Sequence, residues 1–254
     1  MAIINEEITR GELLRVERVP DRSPLMEARP LLYRVGGIAA GVAAILTPIS
    51  VGLFAASPPP AYDAGARVWF EHIQDDRLLG WMSLDLPFLL IAILMIPVMV
   101  ALVAALLSVK PAQVILAAAL FGIAVATYLG TNTSAELVSL SGRYAEATSE
   151  VQRVSLLGAG EALLAAFTST AFHVNYILGQ IAGIILGFVM LRSASFGRPV
   201  AYLMIGGNLF GFLLYVPEIG IALSALSGLI LWFWMVGVSR ALLKLAAPAL
   251  ADMK

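Results

Sequence analysis

The chain has 254 residues, of which 60% are hydrophobic and 13% charged, with a formal net charge of -1 at pH 7. Because ordinary soluble domains carry about 25% charged residues, this composition predicts an integral membrane protein. The sequence contains no cysteine, which excludes disulfides, thiolate metal sites and cysteine nucleophiles. It also has no basic run, so we expect no nucleic-acid partner.

Residues 1–31 form a polar N-terminal arm, in which Glu and Arg alternate with apolar residues between Asn5 and Arg22. This mixed pattern is compatible with a solvated tail, or with a surface helix docked on a partner or on lipid headgroups. We assign residues 32–245 to one membrane domain and residues 246–254 to a cytoplasmic tail.

Six long apolar stretches follow the arm. A helix rises about 1.5 Å per residue and needs about 20 apolar residues to cross roughly 30 Å of hydrocarbon. The sequence therefore predicts an all-α, polytopic protein with six transmembrane helices. The stretches are Val35–Tyr62, Leu78–Val109, Pro111–Ala135, Ala162–Leu191, Pro199–Pro217 and Ile219–Ser239.

The distribution of Lys and Arg around these stretches predicts the orientation. With a cytoplasmic N-terminus, twelve of the sixteen basic residues lie inside and four lie outside. The four outside are Arg67, Arg77, Arg143 and Arg153. We therefore expect a multi-pass protein of the bacterial cytoplasmic (inner) membrane, with both termini in the cytoplasm.

The longer outer connections show no recognisable catalytic motif. Trp69 and Phe70 favour an amphipathic helix that dips into the headgroup layer. His72 lies near two aspartates, but its spacing matches no zinc pattern, so we predict neither a metal nor a cofactor. The sequence favours a non-catalytic protein over an enzyme.

Two acidic residues lie at or near the predicted spans. Asp85 precedes Leu86 and Pro87, which is typical of a helix start where the carboxylate caps free N–H groups. The alternative is a carboxylate that faces a central cavity. Glu161 is expected near the outer boundary, since the fourth span can begin after it.

His173 lies within the fourth apolar stretch. It is our first candidate for a functional residue. On a helix it shares a face with Tyr176 and Gln180. We predict that its neutral ring makes a static hydrogen bond to Asn208 on another span. A ligand or proton site on this face is the alternative, with Asp85 as the partner for a titrating pair.

Small residues recur at helix-packing spacing in two spans. Gly179, Gly183 and Gly187 are separated by four residues each, as are Gly207 and Gly211. Such patterns let helix backbones approach closely, within one chain or between subunits. We expect the Gly179/Gly183/Gly187 face to pack tightly against another helix.

Several short motifs resemble those of a bacterial family. The sequence from Leu31 to Leu245 resembles the six-helix membrane proteins grouped as domain of unknown function 4386. The resemblance implies a six-helix architecture and no particular activity. It is carried by Leu32-Tyr33-Arg34-Val35-Gly36-Gly37-Ile38, Tyr144-Ala145, Gly160-Glu161-Ala162-Leu163 and Thr170-Ala171-Phe172.

Two functional classes follow from these patterns. The first is a non-catalytic membrane protein, either an accessory subunit of a membrane complex or a binder of a small apolar ligand. Its partners would be the bilayer and other membrane subunits or copies of itself. The second is a proton-linked transporter that uses His173 with Asp85, Glu161 or Asn208. Against it, the sequence has no clear internal repeat.

Overall fold

The computed structural model describes residues 24–167 and 169–251, and within these residues every regular element is helical. The all-helical prediction is thus confirmed. The α-helices are α1 (Pro24–Ala56), α2 (Ala66–Asp75), α3 (Arg77–Leu84), α4 (Leu86–Leu106), α5 (Pro111–Thr131), α6 (Ser134–Ala145), α7 (Glu150–Phe167), α8 (Thr170–Met190), α9 (Arg198–Gly211) and α10 (Gly220–Ala251). Two 3₁₀ turns, Tyr62–Ala64 and Phe212–Tyr215, complete the described elements.

Prolines mark the starts of three long helices. Pro87, Pro111 and Pro199 occupy the first turns of α4, α5 and α9. Proline is tolerated there because the first N–H groups of a helix have no acceptor within the helix. These three helices therefore begin at, or one residue before, the prolines of their apolar stretches.

The main core joins the long helices. α1 packs against α4 and α10, α5 packs against α8, and α9 lies between α8 and α10. Its centre consists of fully buried side chains such as Leu102, Leu186 and Leu242. The hydroxyl of Ser239 donates a hydrogen bond to the Gly37 carbonyl at 2.7 Å, which also connects α10 to α1.

A second, smaller core lies where α2, α3, α6 and α7 meet. We call this the outer end of the molecule, after the predicted topology. Trp69 and Phe70 are 1% and 0% exposed and pack in this core. The prediction that they dip into the headgroup layer is wrong, because α6 and α7 cover the apolar face of α2.

Five helical stretches of the described chain are long and apolar enough to cross a membrane. They are Ala28–Ala56, Leu86–Leu106, Pro111–Ala145, Glu150–Met190 and Leu223–Ala247. The predicted fifth span corresponds to α9, which has only 14 residues before the 3₁₀ turn Phe212–Tyr215. The count of six therefore stays a prediction.

The predicted arm falls mostly outside the described residues, including the candidate surface helix between Asn5 and Arg22. Helix α1 begins at Pro24, within the last part of the arm. At the other end, α10 continues through the first residues assigned to the tail and ends at Ala251.

Candidate functional site

A cavity of about 390 Å³ lies at the outer end, between the start of α4, the end of α5 and the start of α8. We call it the outer cavity. Four separate segments bring polar groups to it, while Phe167 and Phe172 contribute apolar surface. Its polar lining consists of Asp85, Tyr128, Thr131, Asn132, His173, Asn175 and Tyr215.

Asp85 is the acidic group of this cavity and is only 9% exposed. Tyr128 donates a hydrogen bond to its Oδ2 atom at 2.5 Å, and the Asn132 side-chain amide donates to the same atom. Burial raises the pKa of Asp85 to about 6, although these two hydrogen bonds lower it. The carboxylate is thus mostly ionised at pH 7. Hydrogen bonds from Tyr128 and Asn132 fix its position.

The predicted capping role of Asp85 is wrong in one respect. Asp85 does occupy the residue before α4, but its side chain accepts no hydrogen bond from the first turn of that helix. The carboxylate points to Tyr128 and Asn132 instead. Asp85 lines a cavity at the outer end, whereas the alternative prediction had it facing a central cavity.

His173 lies in the first turn of α8, since that helix begins at Thr170. Its ring is exposed, and its Nδ1 atom lies 3.0 Å from the Tyr215 hydroxyl. The predicted bond to Asn208 is therefore wrong: the Asn208 amide donates to the Met204 carbonyl of its own helix at 2.7 Å. The break before α8 puts His173 at the outer end.

The structure thus brings Asp85 and His173 to one cavity but separates them from the other predicted polar residues. Tyr176 donates to the Gly211 carbonyl at 2.9 Å and is half-buried. Gln180 is buried, and no described residue donates to its Oε1 atom. Both residues join α8 to the end of α9.

Glu161 lies apart from this cavity. Its Oε1 atom accepts a hydrogen bond from the Ala66 backbone N–H at 2.7 Å. Glu161 of α7 thus provides an acceptor for a free N–H group in the first turn of α2. Gly65, the residue before α2, has a φ of 92°. A side chain at Gly65 would be strained at this angle. We assign Glu161 a structural contact and no place in the outer cavity.

Four of the five predicted packing glycines lie against a neighbouring helix. A Cβ atom at Gly183 would overlap the Asn208 side chain, and one at Gly187 would overlap Ile205 of α9. Gly207 lies against Leu231 of α10, and Gly211 against Gln180 of α8. Gly179 differs, because a Cβ atom there meets no atom of the described chain within 4 Å.

Gly179 and Gly183 line an internal cavity of about 200 Å³, deeper in the bundle. Four methionines, Met95, Met99, Met204 and Met235, contribute to its wall. Methionine side chains are flexible and fill irregular spaces. This internal cavity holds neither Asp85 nor His173, so it is distinct from the outer cavity.

A histidine and a serine also meet outside the outer cavity. His72 Nε2 lies 2.8 Å from Ser83 Oγ, which donates to the Gly80 carbonyl at 3.0 Å. Ser83 is 4% exposed, so a substrate cannot reach its hydroxyl. Within residues 24–167 and 169–251, no group of three His, Asp or Glu side chains is close enough to hold a metal ion.

Comparison with protein-family models, with curated proteins and with solved structures finds no match to this chain. The resemblance to the domain of unknown function 4386 family therefore stays a prediction. The geometry of the outer cavity is therefore the basis for assigning a function.

Five polar residues of this site were not predicted from the sequence: Tyr128, Thr131, Asn132, Asn175 and Tyr215. Tyr128 and Asn132 are the two that contact Asp85: Tyr128 lies in the last turn of α5, and Asn132 directly follows this helix. A Tyr and an Asn at the end of an otherwise apolar span are a weak signal by themselves. Only their distance to Asp85 makes them part of a site.

Proposed function

We propose that the protein is a non-catalytic, multi-pass protein of the bacterial inner membrane whose outer cavity binds a small, mainly apolar molecule carrying a protonated amine. The observation that supports this proposal is the partly satisfied carboxylate of Asp85. Both of its donors use Oδ2, and none of the described residues donates to Oδ1. An ammonium group would supply both the missing hydrogen bond and the opposite charge.

The walls of the cavity fit the same ligand. Phe172 and Tyr215 line it together with Asp85, and aromatic faces attract cations. Its remaining surface is mainly apolar, which favours a hydrocarbon body over a sugar or a phosphate. An anion would meet the Asp85 carboxylate, so acidic ligands are disfavoured.

Membrane insertion with six crossings is part of this proposal. Helix α9 has 14 residues and the following 3₁₀ turn has four, which together extend about 29 Å at about 1.5 and 2.0 Å per residue. This length approaches the roughly 30 Å of a bilayer core. A sixth crossing returns the C-terminus to the cytoplasm, as the Lys and Arg distribution requires.

The exposed apolar helix faces support lipid as the main partner. Ile45, Ile115 and Phe188 are each more than half exposed on different helices. Soluble proteins rarely expose such extended apolar surface. Contacts with other membrane subunits, or with a second copy of the chain, would use these same faces.

The test of amine binding uses the purified protein in lipid nanodiscs, with isothermal titration of hexylamine, hexanol and hexanoate. We expect hexylamine to bind more tightly than the other two. Asp85→Asn should lose about 1.5–3 kcal/mol of hexylamine binding, since a charge-assisted hydrogen bond is removed. Glu71→Gln, which neutralises an exposed carboxylate at the same end, is the matched control. Equal binding of all three compounds would refute the proposal.

A proton-linked transporter is the second candidate, favoured because Asp85 and His173 line the same cavity. Both residue types change charge as they exchange protons. In proteoliposomes, a transporter would move protons when a hexylamine gradient is imposed, and Asp85→Asn would stop that movement. A binding protein would show Asp85-dependent affinity without any flux.

A further inference from the structure

The bundle has a second recess, whose lining residues are separate from those of the outer cavity. It is a groove of about 470 Å³ between α4 and α5, and all of its lining side chains are apolar. We call it the α4–α5 groove. Ile96 and Val100 line it and are 41% and 45% exposed, so the groove opens on the outside of the bundle. On that side, the molecule would face lipid.

The groove follows one face of α5 towards the end of the helix that borders the outer cavity. Ala118, Gly122, Val125 and Leu129 line the groove at steps of four, three and four residues. Three residues after Leu129, Asn132 directly follows the last residue of α5, lines the outer cavity and donates to Asp85. Helical periods of three and four keep the four groove positions on one side of α5.

The distances along this face match a chain attached to a head group. Leu129 and Asn132 are separated by a rise of about 4.5 Å, whereas Ala118 to Leu129 extends about 16 Å. The second length is about half of the roughly 30 Å hydrocarbon core, which is one leaflet. Polar groups therefore lie at one end of the path, and about one leaflet of apolar surface follows.

We propose that the α4–α5 groove holds the hydrocarbon chain of a single-chain amphiphilic amine whose ammonium group binds Asp85 in the outer cavity. This inference rests on the proposed amine binding and names its ligand class, a long-chain alkylamine. The molecule reaches the site sideways from the bilayer, since the groove opens between two helices. A short amine fills only the outer cavity.

Gly122 offers a substitution that fills the groove without disturbing the protein. A Cβ atom at Gly122 meets nothing within 4 Å in the described chain, so Gly122→Leu projects into the groove without a clash. Gly130 has equally open surroundings on the same helix but does not line the groove. Gly130→Leu is therefore the matched control, with the same gain in helix propensity.

The experiment compares propylamine and dodecylamine binding to the protein in nanodiscs. We expect Gly122→Leu to weaken dodecylamine about fivefold, which corresponds to the loss of roughly 1 kcal/mol of packing. Propylamine affinity should stay within about twofold, and Gly130→Leu should change neither. Each comparison is made at fixed chain length, so partition of the amine into the bilayer cancels.

A dodecylamine with a diazirine at its chain end gives a second measurement. Illumination should attach it to groove residues such as Val100 and Phe121, and Gly122→Leu should remove this labelling. Unchanged dodecylamine affinity in Gly122→Leu, or labelling spread evenly over α1 and α10, would overturn the groove assignment. If propylamine still binds through Asp85, the proposed function survives that result. If no amine depends on Asp85, both proposals fail.

Discussion

Tyr128, in the last turn of α5, and Asn132, directly after that helix, donate hydrogen bonds to one and the same oxygen of Asp85, the residue that immediately precedes α4. The other carboxylate oxygen receives no hydrogen bond from the described chain. This pair of donors fixes the carboxylate and leaves one side of it to the outer cavity. Several consequences of this geometry can be measured.

The affinity for hexylamine should depend on pH through Asp85. Burial raises the pKa of this carboxyl to about 6, and only its ionised form attracts an ammonium group. Affinity should therefore be constant above about pH 7 and fall about tenfold for each pH unit below 6. Titrations between pH 4.5 and 8 check this, and Asp85→Asn should flatten the profile.

Removing the Tyr128 hydroxyl should move this pH profile. The hydrogen bond from Tyr128 lowers the pKa of Asp85, so Tyr128→Phe raises it further. Hexylamine binding should then begin to weaken at a higher pH than in the unmodified protein. Tyr202→Phe removes an exposed hydroxyl elsewhere and serves as the control. A profile that moves to lower pH in Tyr128→Phe would contradict the assigned hydrogen bond.

Two alanine substitutions in α8 should have opposite effects on stability. Both Gly179→Ala and Gly183→Ala gain up to about 1 kcal/mol of helix propensity. At Gly183 the new methyl group overlaps the Asn208 side chain, whose amide donates to the Met204 carbonyl. This overlap should cost about 1–3 kcal/mol of stability. Thermal denaturation in nanodiscs should therefore show a raised midpoint for Gly179→Ala and a lowered one for Gly183→Ala. Equal midpoints would show that α9 does not lie against this face.

His173→Gln should leave the fold almost unchanged. The ring is exposed and contacts the Tyr215 hydroxyl, so the substitution should cost about 0.5 kcal/mol or less. Tyr176→Phe should cost more, about 1 kcal/mol, because a half-buried hydroxyl loses its bond to the Gly211 carbonyl. Thermal midpoints of the two variants give the comparison. A larger loss for His173→Gln would mean that the histidine is buried in the membrane-embedded protein.

The sixth crossing can be tested with single cysteines, since the natural sequence has none. Ser195→Cys lies before α9, and Ile219→Cys lies after the 3₁₀ turn that extends it. If this segment crosses the bilayer, a membrane-impermeant maleimide should label Ile219→Cys but not Ser195→Cys in intact cells. Equal labelling of the two positions would place them on the same side, and would leave five crossings.

Much of the secondary structure could be predicted from the sequence. Long uncharged stretches identify the helices, and prolines such as Pro111 and Pro199 mark their starts. These features are local, because helix length and the first turn depend on neighbouring residues alone. The fourth stretch was less predictable. Ser169 is extended and α8 begins at Thr170, so His173 lies in the first turn of that helix at the outer end.

The site required the tertiary structure. A span in lipid is apolar on every face, so its hydrophobic pattern does not indicate which side meets another helix. The sequence therefore gave no reason to pair Asp85 with Asn132, 47 residues away, or His173 with Tyr215 rather than Asn208. It identified Asp85 and His173 as polar residues that need partners, because unpaired polar groups are costly in a bilayer. Only the packing of α5 and α8 at the outer end decided which partners they have.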